Sequence, residues 1–123
     1  MRGKRLPMGA LEGAVMEVLW ADGGWLIPAE VHAKLPAERD LRYTTVMTTL
    51  ARLHKKDRLE RRKDGRAFAY HPTMSRAEWA ATRMDDVLNV TGDRSAALAH
   101  FLDRLDDSDR SQLRRILADR AKG

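Results

Sequence analysis

Hydroxyl and cationic side chains recur on one side of the segment Arg42–Lys56. If this segment is a helix, Val46, Leu50 and Leu53 share a face, at the i, i+4 and i+7 spacing of a buried stripe. The opposite face carries Thr44, Thr48, Ala51 and Lys55, with Thr45 and Arg52 at its margins. Such a face is slim enough to enter a DNA major groove, where hydroxyls, methyl groups and cations contact bases and phosphates.

The residue types on this face suit DNA recognition. A threonine methyl touches a thymine methyl, and an arginine donates two hydrogen bonds to guanine. The side chains expected to contact bases or phosphates are Thr44, Thr45, Thr48 and Arg52. Arg42 and Lys55, at the helix ends, are expected to reach phosphates, which set the register of the protein on the duplex. A solvated helix face is the alternative, but threonine is a mediocre helix former, which favours a functional use.

A basic hairpin is predicted directly after this helix. Strands over Leu59–Lys63 and Arg66–Tyr70 are joined by Asp64-Gly65, a favoured two-residue turn because both positions accept positive φ. The cations that flank the predicted tip are Arg62, Lys63 and Arg66. We expect them to contact the minor-groove edge or nearby phosphates; an exposed hairpin that only promotes solubility is the alternative. A helix followed by such a hairpin indicates a winged helix-turn-helix and makes DNA binding the leading hypothesis.

The elements before this helix must position it. Helical spacing of apolar residues predicts a first helix over Met8–Ala21, ended by Asp22-Gly23-Gly24. A short extended piece, Trp25–Ile27, is expected to pair with the wing, and Pro28 begins a second helix that runs to Leu35. The predicted fold class is therefore mainly α with a small β-wing (α+β), with residues 1–72 forming the winged-helix DNA-binding domain.

Three further helices are predicted near Ser75–Val90, Arg94–Leu105 and Ser108–Ala121. Their apolar residues are too numerous for thin helices to bury among themselves, so we expect residues 73–123 to form a helical dimerisation domain. Folding back on the first domain as extra core is the alternative. The residues predicted to line the dimer interface are Trp79, Val87, Leu88, Leu98, Phe101, Leu102, Leu105, Leu113, Ile116 and Leu117.

The charge is distributed unevenly between these two parts. Residues 1–72 hold 14 Lys and Arg against 9 Asp and Glu, whereas residues 73–123 hold 9 of each. The whole positive excess of +5 thus falls on the predicted winged helix, as binding to a polyanion requires. The sequence has no cysteine, no apolar run of the roughly 20 residues that cross a bilayer and no secretory signal, so we expect a cytoplasmic protein without membrane insertion.

Catalytic and metal-binding patterns are missing from the sequence. The histidines, at 32, 54, 71 and 100, lie far apart without metal-ligand spacing. No Ser/His/Asp grouping with a nucleophile turn and no glycine-rich phosphate loop occurs. We therefore expect no enzyme activity, no metal and no cofactor, and a tryptophan-lined small-molecule pocket is the lesser alternative to core packing.

Three segments resemble the penicillinase-repressor family (BlaI/MecI/CopY-type transcriptional regulators): LEGAVMEVLW (Leu11–Trp20), DLRYTTVMTTLARLHKKD (Asp40–Asp57) and GRAFAYHP (Gly65–Pro72). The resemblance implies a bacterial homodimer with an N-terminal winged helix and a C-terminal helical dimerisation region. It also implies repression through double-stranded palindromic operator DNA, at genes for β-lactam resistance, copper homeostasis or stress. Asp57 stands where the family usually has glycine, and it should still permit a left-handed turn at some cost.

The same resemblance bears on the inducing signal. In the β-lactam branch a membrane sensor-protease acts and the repressor is cut at an Asn-Phe pair, which here matches His100-Phe101. Phe101 is retained and the Asn is not; packing in the dimer core is the alternative role for Phe101. The copper branch uses a cysteine motif, which this sequence lacks. A different class of function, a winged helix that binds a protein partner without sequence-specific DNA binding, stays open, and the salt dependence of duplex binding separates the two.

Overall fold

The computed structural model describes residues 9–37 and 40–123. The chain divides into two compact units, one that ends at Trp79 and one that runs Ala80–Gly123. The predicted division of functions, at residues 72 and 73, stays a prediction. None of the helices in the described part of the chain combines the length and the apolar character that a membrane span requires.

Three helices and a two-stranded hairpin build most of the first unit. They are α1 (Ala10–Asp22), α2 (Pro28–Lys34), α3 (Tyr43–Lys55), β1 (Leu59–Asp64) and β2 (Ala67–Pro72). Gly23 ends α1 with a φ of 81°, where its N–H donates to the Leu19 carbonyl, as in a left-handed helix cap. Leu26 forms an isolated antiparallel bridge with Tyr70, so the extended piece before α2 pairs with the wing as predicted. The fold is a winged helix-turn-helix, which confirms the predicted fold class.

A single apolar core joins these elements. The inward stripe of α3, Val46, Leu50 and Leu53, is fully buried, as the sequence spacing predicted. The other members of the core are Val15, Met16, Leu19, Leu26, Val31, Leu35, Leu59 and Tyr70. Because every element of the first unit contributes to this core, the orientation of α3 about its own axis is fixed by packing. The face of α3 opposite the stripe is therefore held toward solvent.

The hairpin turn lies one residue later than predicted. Asp64 pairs with Ala67, so the two-residue loop is Gly65-Arg66 and not Asp64-Gly65. Gly65 has a φ of 66°, and Arg66 has no positive φ. Positive φ at the first central position alone is the pattern of a type II′ turn, which takes glycine there. The prediction assumed positive φ at both central positions of the turn. The observed turn needs positive φ only at Gly65, and Arg66 occupies the second position of the loop.

The remaining helices are α4 (Arg76–Val90), α5 (Arg94–Arg104) and α6 (Asp107–Lys122). Their starts are capped by side chains: Asp93 accepts from the Ala96 N–H, and Asp106 accepts from the Asp109 N–H. No residue of α4, α5 or α6 is buried. All three helices match the predicted positions to within one or two residues.

Candidate nucleic-acid interface

One face of α3 is polar and open to solvent. The side chains at Thr44, Thr48, Ala51, Arg52 and Lys55 are exposed, and Thr45 is half-buried at the margin. Arg42, which precedes the first turn of α3, is exposed as well. The structure thus brings the predicted helix contacts together on one surface, which we call the α3 face: residues 42, 44, 45, 48, 51, 52 and 55. Their individual roles in binding stay predictions.

Two neighbouring threonines on α3 have different environments. The Thr49 hydroxyl donates to the Thr45 carbonyl at 2.8 Å, and Thr49 is only 2% exposed. The Thr48 hydroxyl makes the same bond to the Thr44 carbonyl, at 2.9 Å, but Thr48 is exposed. Because the Thr48 hydroxyl proton is donated to the Thr44 carbonyl, Thr48 offers its methyl group and oxygen lone pairs to a ligand. Thr49 packs in the core and contributes nothing to the α3 face.

Met47 belongs with the exposed residues of α3, although the sequence prediction left it out. It is 44% exposed and lies three residues after Thr44 and four before Ala51. Residues with those spacings are neighbours on a helix surface. A methionine beside a threonine-rich face extends the apolar surface that thymine methyl groups contact. Helical spacing alone places Met47 beside this face; the predicted contact set omitted it because that set contained only polar and cationic side chains.

The turn before α3 is fixed by His32. Its Nε2–H donates to the Leu41 carbonyl at 2.6 Å, and the Tyr43 ring meets the His32 ring edge-on, with centroids 6.1 Å apart. Asp40, with a φ of 44°, reverses the chain just before this contact. The C-terminal part of α2 thereby holds the start of α3, which is the geometry of a helix-turn-helix.

The turn after α3 leads directly into the wing. Asp57 has a φ of 64°, so it adopts the left-handed turn that the sequence comparison predicted for it. The Thr73 hydroxyl donates to the Asp57 carbonyl at 2.8 Å, which ties this turn to the end of the hairpin. Lys56 pairs with Glu12 of α1 at 3.2 Å and is thus directed to the protein, whereas Lys55 is exposed on the α3 face.

The cations of the hairpin lie on its two opposite faces. Arg62 stacks over the Trp25 ring at 4.3 Å, whereas Arg61 lies 4.0 Å over the Phe68 ring. Lys63 shares the Phe68 face, 5.6 Å from that centroid. Arg62 and Lys63 were predicted to act together, and strand alternation separates them. Arg61, which the predicted contact set leaves out, lies on the same face of the hairpin as Lys63, as strand alternation indicates.

The predicted dimer residues are for the most part open to solvent. Val87, Leu98, Phe101, Leu102, Ile116 and Leu117 are between 42% and 61% exposed. Leu88, Leu105 and Leu113 are half-buried. His100 and Phe101 lie within α5, so their peptide bond is helical. Trp79 differs from the rest because it packs against Trp20 and the core of the first unit.

No group of three or more histidine, aspartate and glutamate side chains within residues 9–37 and 40–123 is arranged to hold a metal ion. The threonine, arginine and lysine side chains of the α3 face and hairpin supply hydrogen bonds, methyl contacts and attraction for phosphates. These interactions suit recognition of a nucleic acid.

Comparison with known proteins agrees with this geometry. Residues 8–119 match the model of the penicillinase repressor family. The transcriptional regulator BlaI of Mycobacterium tuberculosis is 43% identical over 119 residues, which cover 94% of this chain and 86% of that protein. The penicillinase repressor of Bacillus licheniformis is 29% identical over 119 residues, covering 93% of this chain and 92% of that protein.

Solved structures similar to this chain include two repressors. The solution structure of the DNA-binding domain of the repressor BlaI is 30% identical and covers 62% of this chain and 93% of its own, with a TM-score of 0.49. The CopR repressor structure is 33% identical and covers 61% of this chain and 100% of its own, with a TM-score of 0.45.

Proposed function

We propose that this chain, which belongs to the penicillinase repressor family, binds dyad-symmetric operator DNA as a homodimer in the cytoplasm. The chain is a DNA-binding transcriptional repressor and not an enzyme. The observation that supports the DNA-binding surface is the α3 face, exposed and polar opposite the fully buried stripe of Val46, Leu50 and Leu53.

In the proposed complex, α3 enters the major groove. Arg52 donates its paired N–H groups to a base edge, while the Thr48 methyl and lone pairs contact a neighbouring base. Arg42 and Lys55 bind phosphates at the two ends of the helix, which sets the register. A backbone N–H at the helix start adds to this, because the first turn carries unpaired donors and a partial positive charge.

The hairpin would lie along the adjacent backbone. Arg62 is held in place by the Trp25 ring, which leaves the N–H edge of its guanidinium available for a phosphate. Arg66, in the exposed loop, is the cation nearest the tip. On the opposite face of the hairpin Lys63 lies over Phe68. Because the two faces cannot both meet the same strand of DNA, we assign the larger share of wing binding to Arg62 and Arg66.

Homodimerisation is supported by the apolar side chains that α4, α5 and α6 leave exposed. Phe101 and Leu102 are 45% and 42% exposed on α5, and Leu117 on α6 is 61% exposed. Exposed apolar surface of this extent on neighbouring helices is typical of protein–protein interfaces. A symmetric dimer offers two α3 faces, which fit half-sites about one helical turn apart or a multiple of it. Repression follows when the dimer occupies promoter DNA.

Relief of repression by a membrane sensor-protease would require α5 to open. The His100–Phe101 bond lies inside a helix whose start is capped by Asp93, whereas proteases bind their substrates in extended form. Local unwinding of α5 would have to precede any cut there. We propose that dissociation of the dimer accompanies such unwinding, because Phe101 lies on the face that we assign to the partner. The controlled genes, for β-lactam resistance or stress responses, are proposed from the family alone.

The test is a selection of duplexes from a random-sequence pool with the full chain, followed by titration of selected and unselected DNA over a range of salt. We expect one enriched palindromic sequence, and a steep fall in affinity with salt for both kinds of DNA. Tight binding without any enriched sequence, or no binding at all, would favour a protein-binding module and contradict the proposal.

A further inference from the structure

Side chains of α1 hold the first turn of α4 in place. The Arg76 guanidinium donates from Nε to Glu17 at 3.0 Å and makes a second hydrogen bond through its terminal nitrogen. The Trp20 Nε1–H donates to the Met74 carbonyl at 2.9 Å. The rings of Trp20 and Trp79 meet edge to face, with centroids 6.4 Å apart and planes at 71°. We call Glu17, Trp20, Arg76 and Trp79 the clamp.

The start of α4 is also capped by its own side chains. Ser75 and Glu78 form a reciprocal capping box, in which the Ser75 N–H donates to Glu78 at 2.8 Å and the Glu78 N–H donates to the Ser75 hydroxyl at 3.1 Å. The Arg76 guanidinium also lies 5.5 Å from the Trp20 ring centroid. Hydrogen bonds, an ion pair and ring contacts thus converge on six consecutive residues of the chain, from position 74 to position 79.

Glu17 and Arg76 are both charged at neutral pH. Hydrogen bonds from Arg76 hold the pKa of the Glu17 carboxyl below its usual value of 4.5, and the same bonds raise the pKa of Arg76. The side chains of Glu17 and Arg76 are 57% and 58% exposed, and an ion pair this open contributes little to folding on its own.

The clamp is separate from the surface that the proposed function assigns to DNA. Its members belong to α1 and to the first turn of α4, whereas the DNA contacts come from α3 and the hairpin. Beyond the clamp, α4 continues without interruption to Val90, and exposed apolar side chains occur along α4, α5 and α6. In a dimer that binds two half-sites, the second contact becomes intramolecular, and its strength depends on how closely the connection matches the distance to be spanned.

We propose that the clamp determines which half-site spacing the dimer accepts, an inference that rests on the proposed function. With the clamp closed, the first turn of α4 is held against α1, so one separation of half-sites is favoured. With the clamp open, several separations are accepted, each with a lower effective concentration of the second α3 face at its half-site. Glu17, Trp20, Arg76 and Trp79 are then positioning residues, which touch no DNA.

The experiment uses duplexes with two inverted copies of the half-site selected by the parent chain, at spacings that differ by single base pairs, and a duplex with one copy. Affinities are measured for the parent and for Arg76→Glu, Glu17→Arg and the double exchange. We expect the parent to prefer one spacing by about tenfold or more, and each single reversal to reduce that preference to about threefold or less. Binding to the single half-site should stay within about twofold of the parent.

The double exchange is the matched control, because it restores an ion pair between the same two positions with the charges reversed. It should recover most of the spacing preference. Trp20→Phe, which keeps a ring but removes the donor to Met74, should give an intermediate result. Circular dichroism verifies that each variant is folded; if Arg76→Glu is not, Arg76→Gln removes the ion pair without placing two carboxylates together.

Two failures are distinguishable. If the parent binds paired half-sites no more tightly than a single one, the proposed homodimeric operator binding is wrong. If the parent prefers one spacing and folded charge-reversal variants keep that preference unchanged, the clamp proposal is wrong and the proposed function stands.

Discussion

Replacing Arg52 by alanine tests the α3 face at its most specific point. Arg52 is exposed, lies one turn after Thr48, and has no ion-pair partner among the residues that the structure describes. Its removal should change the free energy of unfolding by no more than about 0.5 kcal/mol, since alanine is also the better helix former. Any loss of DNA binding in Arg52→Ala can then be attributed to the missing contact.

The expected loss of operator affinity counts one arginine contact in each protomer of the dimer. A bidentate arginine–guanine contact provides about 1–3 kcal/mol of discrimination, and two protomers lose it together. Operator affinity should therefore fall by about 2–6 kcal/mol, which is roughly 30-fold or more. Affinity for random duplex DNA should change little, because that binding depends on phosphates.

The assay is fluorescence anisotropy with labelled operator and random duplexes over a salt series, with urea unfolding of the same protein. Lys55→Ala is the control. Loss of a phosphate contact should weaken binding to both duplexes alike and lower the salt dependence by about one counterion per protomer. Arg52→Ala protein that binds the operator as tightly as the parent would refute the assignment of Arg52 to a base. An equal loss of affinity for both duplexes would instead assign Arg52 to a phosphate contact.

Three further predictions concern the dimer, the turn after α3 and pH. Phe101→Lys places a charge on the exposed apolar face of α5 and should convert the dimer to monomer in analytical ultracentrifugation; an unchanged sedimentation coefficient would place the interface elsewhere. Asp57→Gly should stabilise the chain by up to about 1 kcal/mol in urea unfolding, because glycine adopts the φ of 64° without strain; a lower midpoint would contradict this. The Glu17 carboxyl has a lowered pKa, so the small stabilisation from its pairing with Arg76 is present in full above pH 4.5 and is lost as the pH falls through the lowered value. The difference in melting temperature between the parent and Glu17→Gln should accordingly shrink below pH 4.5, and a difference that grows there would reverse the sign of the argument.

Much of the first unit could be predicted because its signals are local. The spacing of Val46, Leu50 and Leu53 gave both the existence of α3 and the side that it buries, since that spacing matches the helical repeat. The start of α4 after Ser75 likewise has a local cause, because Ser75 and Glu78 form reciprocal capping bonds. These features depend on residues within one or two turns of each other.

The hairpin register was predicted wrongly, and the contact between two tryptophans was not predicted, because both depend on pairing or packing at a distance. The hairpin register depends on how Asp64 meets Ala67 across the turn, and the dipeptide Asp64-Gly65 permits more than one register. The contact of Trp79 with Trp20 joins positions 59 residues apart, and no local pattern indicates it.

Hydroxyl-radical footprinting of the full chain on its selected operator tests the central claim most directly. Two α3 faces related by symmetry should protect two patches on one side of the duplex, with centres about one helical turn apart or a multiple of it. Loss of both patches together in the Phe101→Lys variant would tie the paired contacts to the dimer. A single protected patch with the parent chain, or uniform weak protection along the duplex, would contradict a homodimer that offers α3 to each half-site.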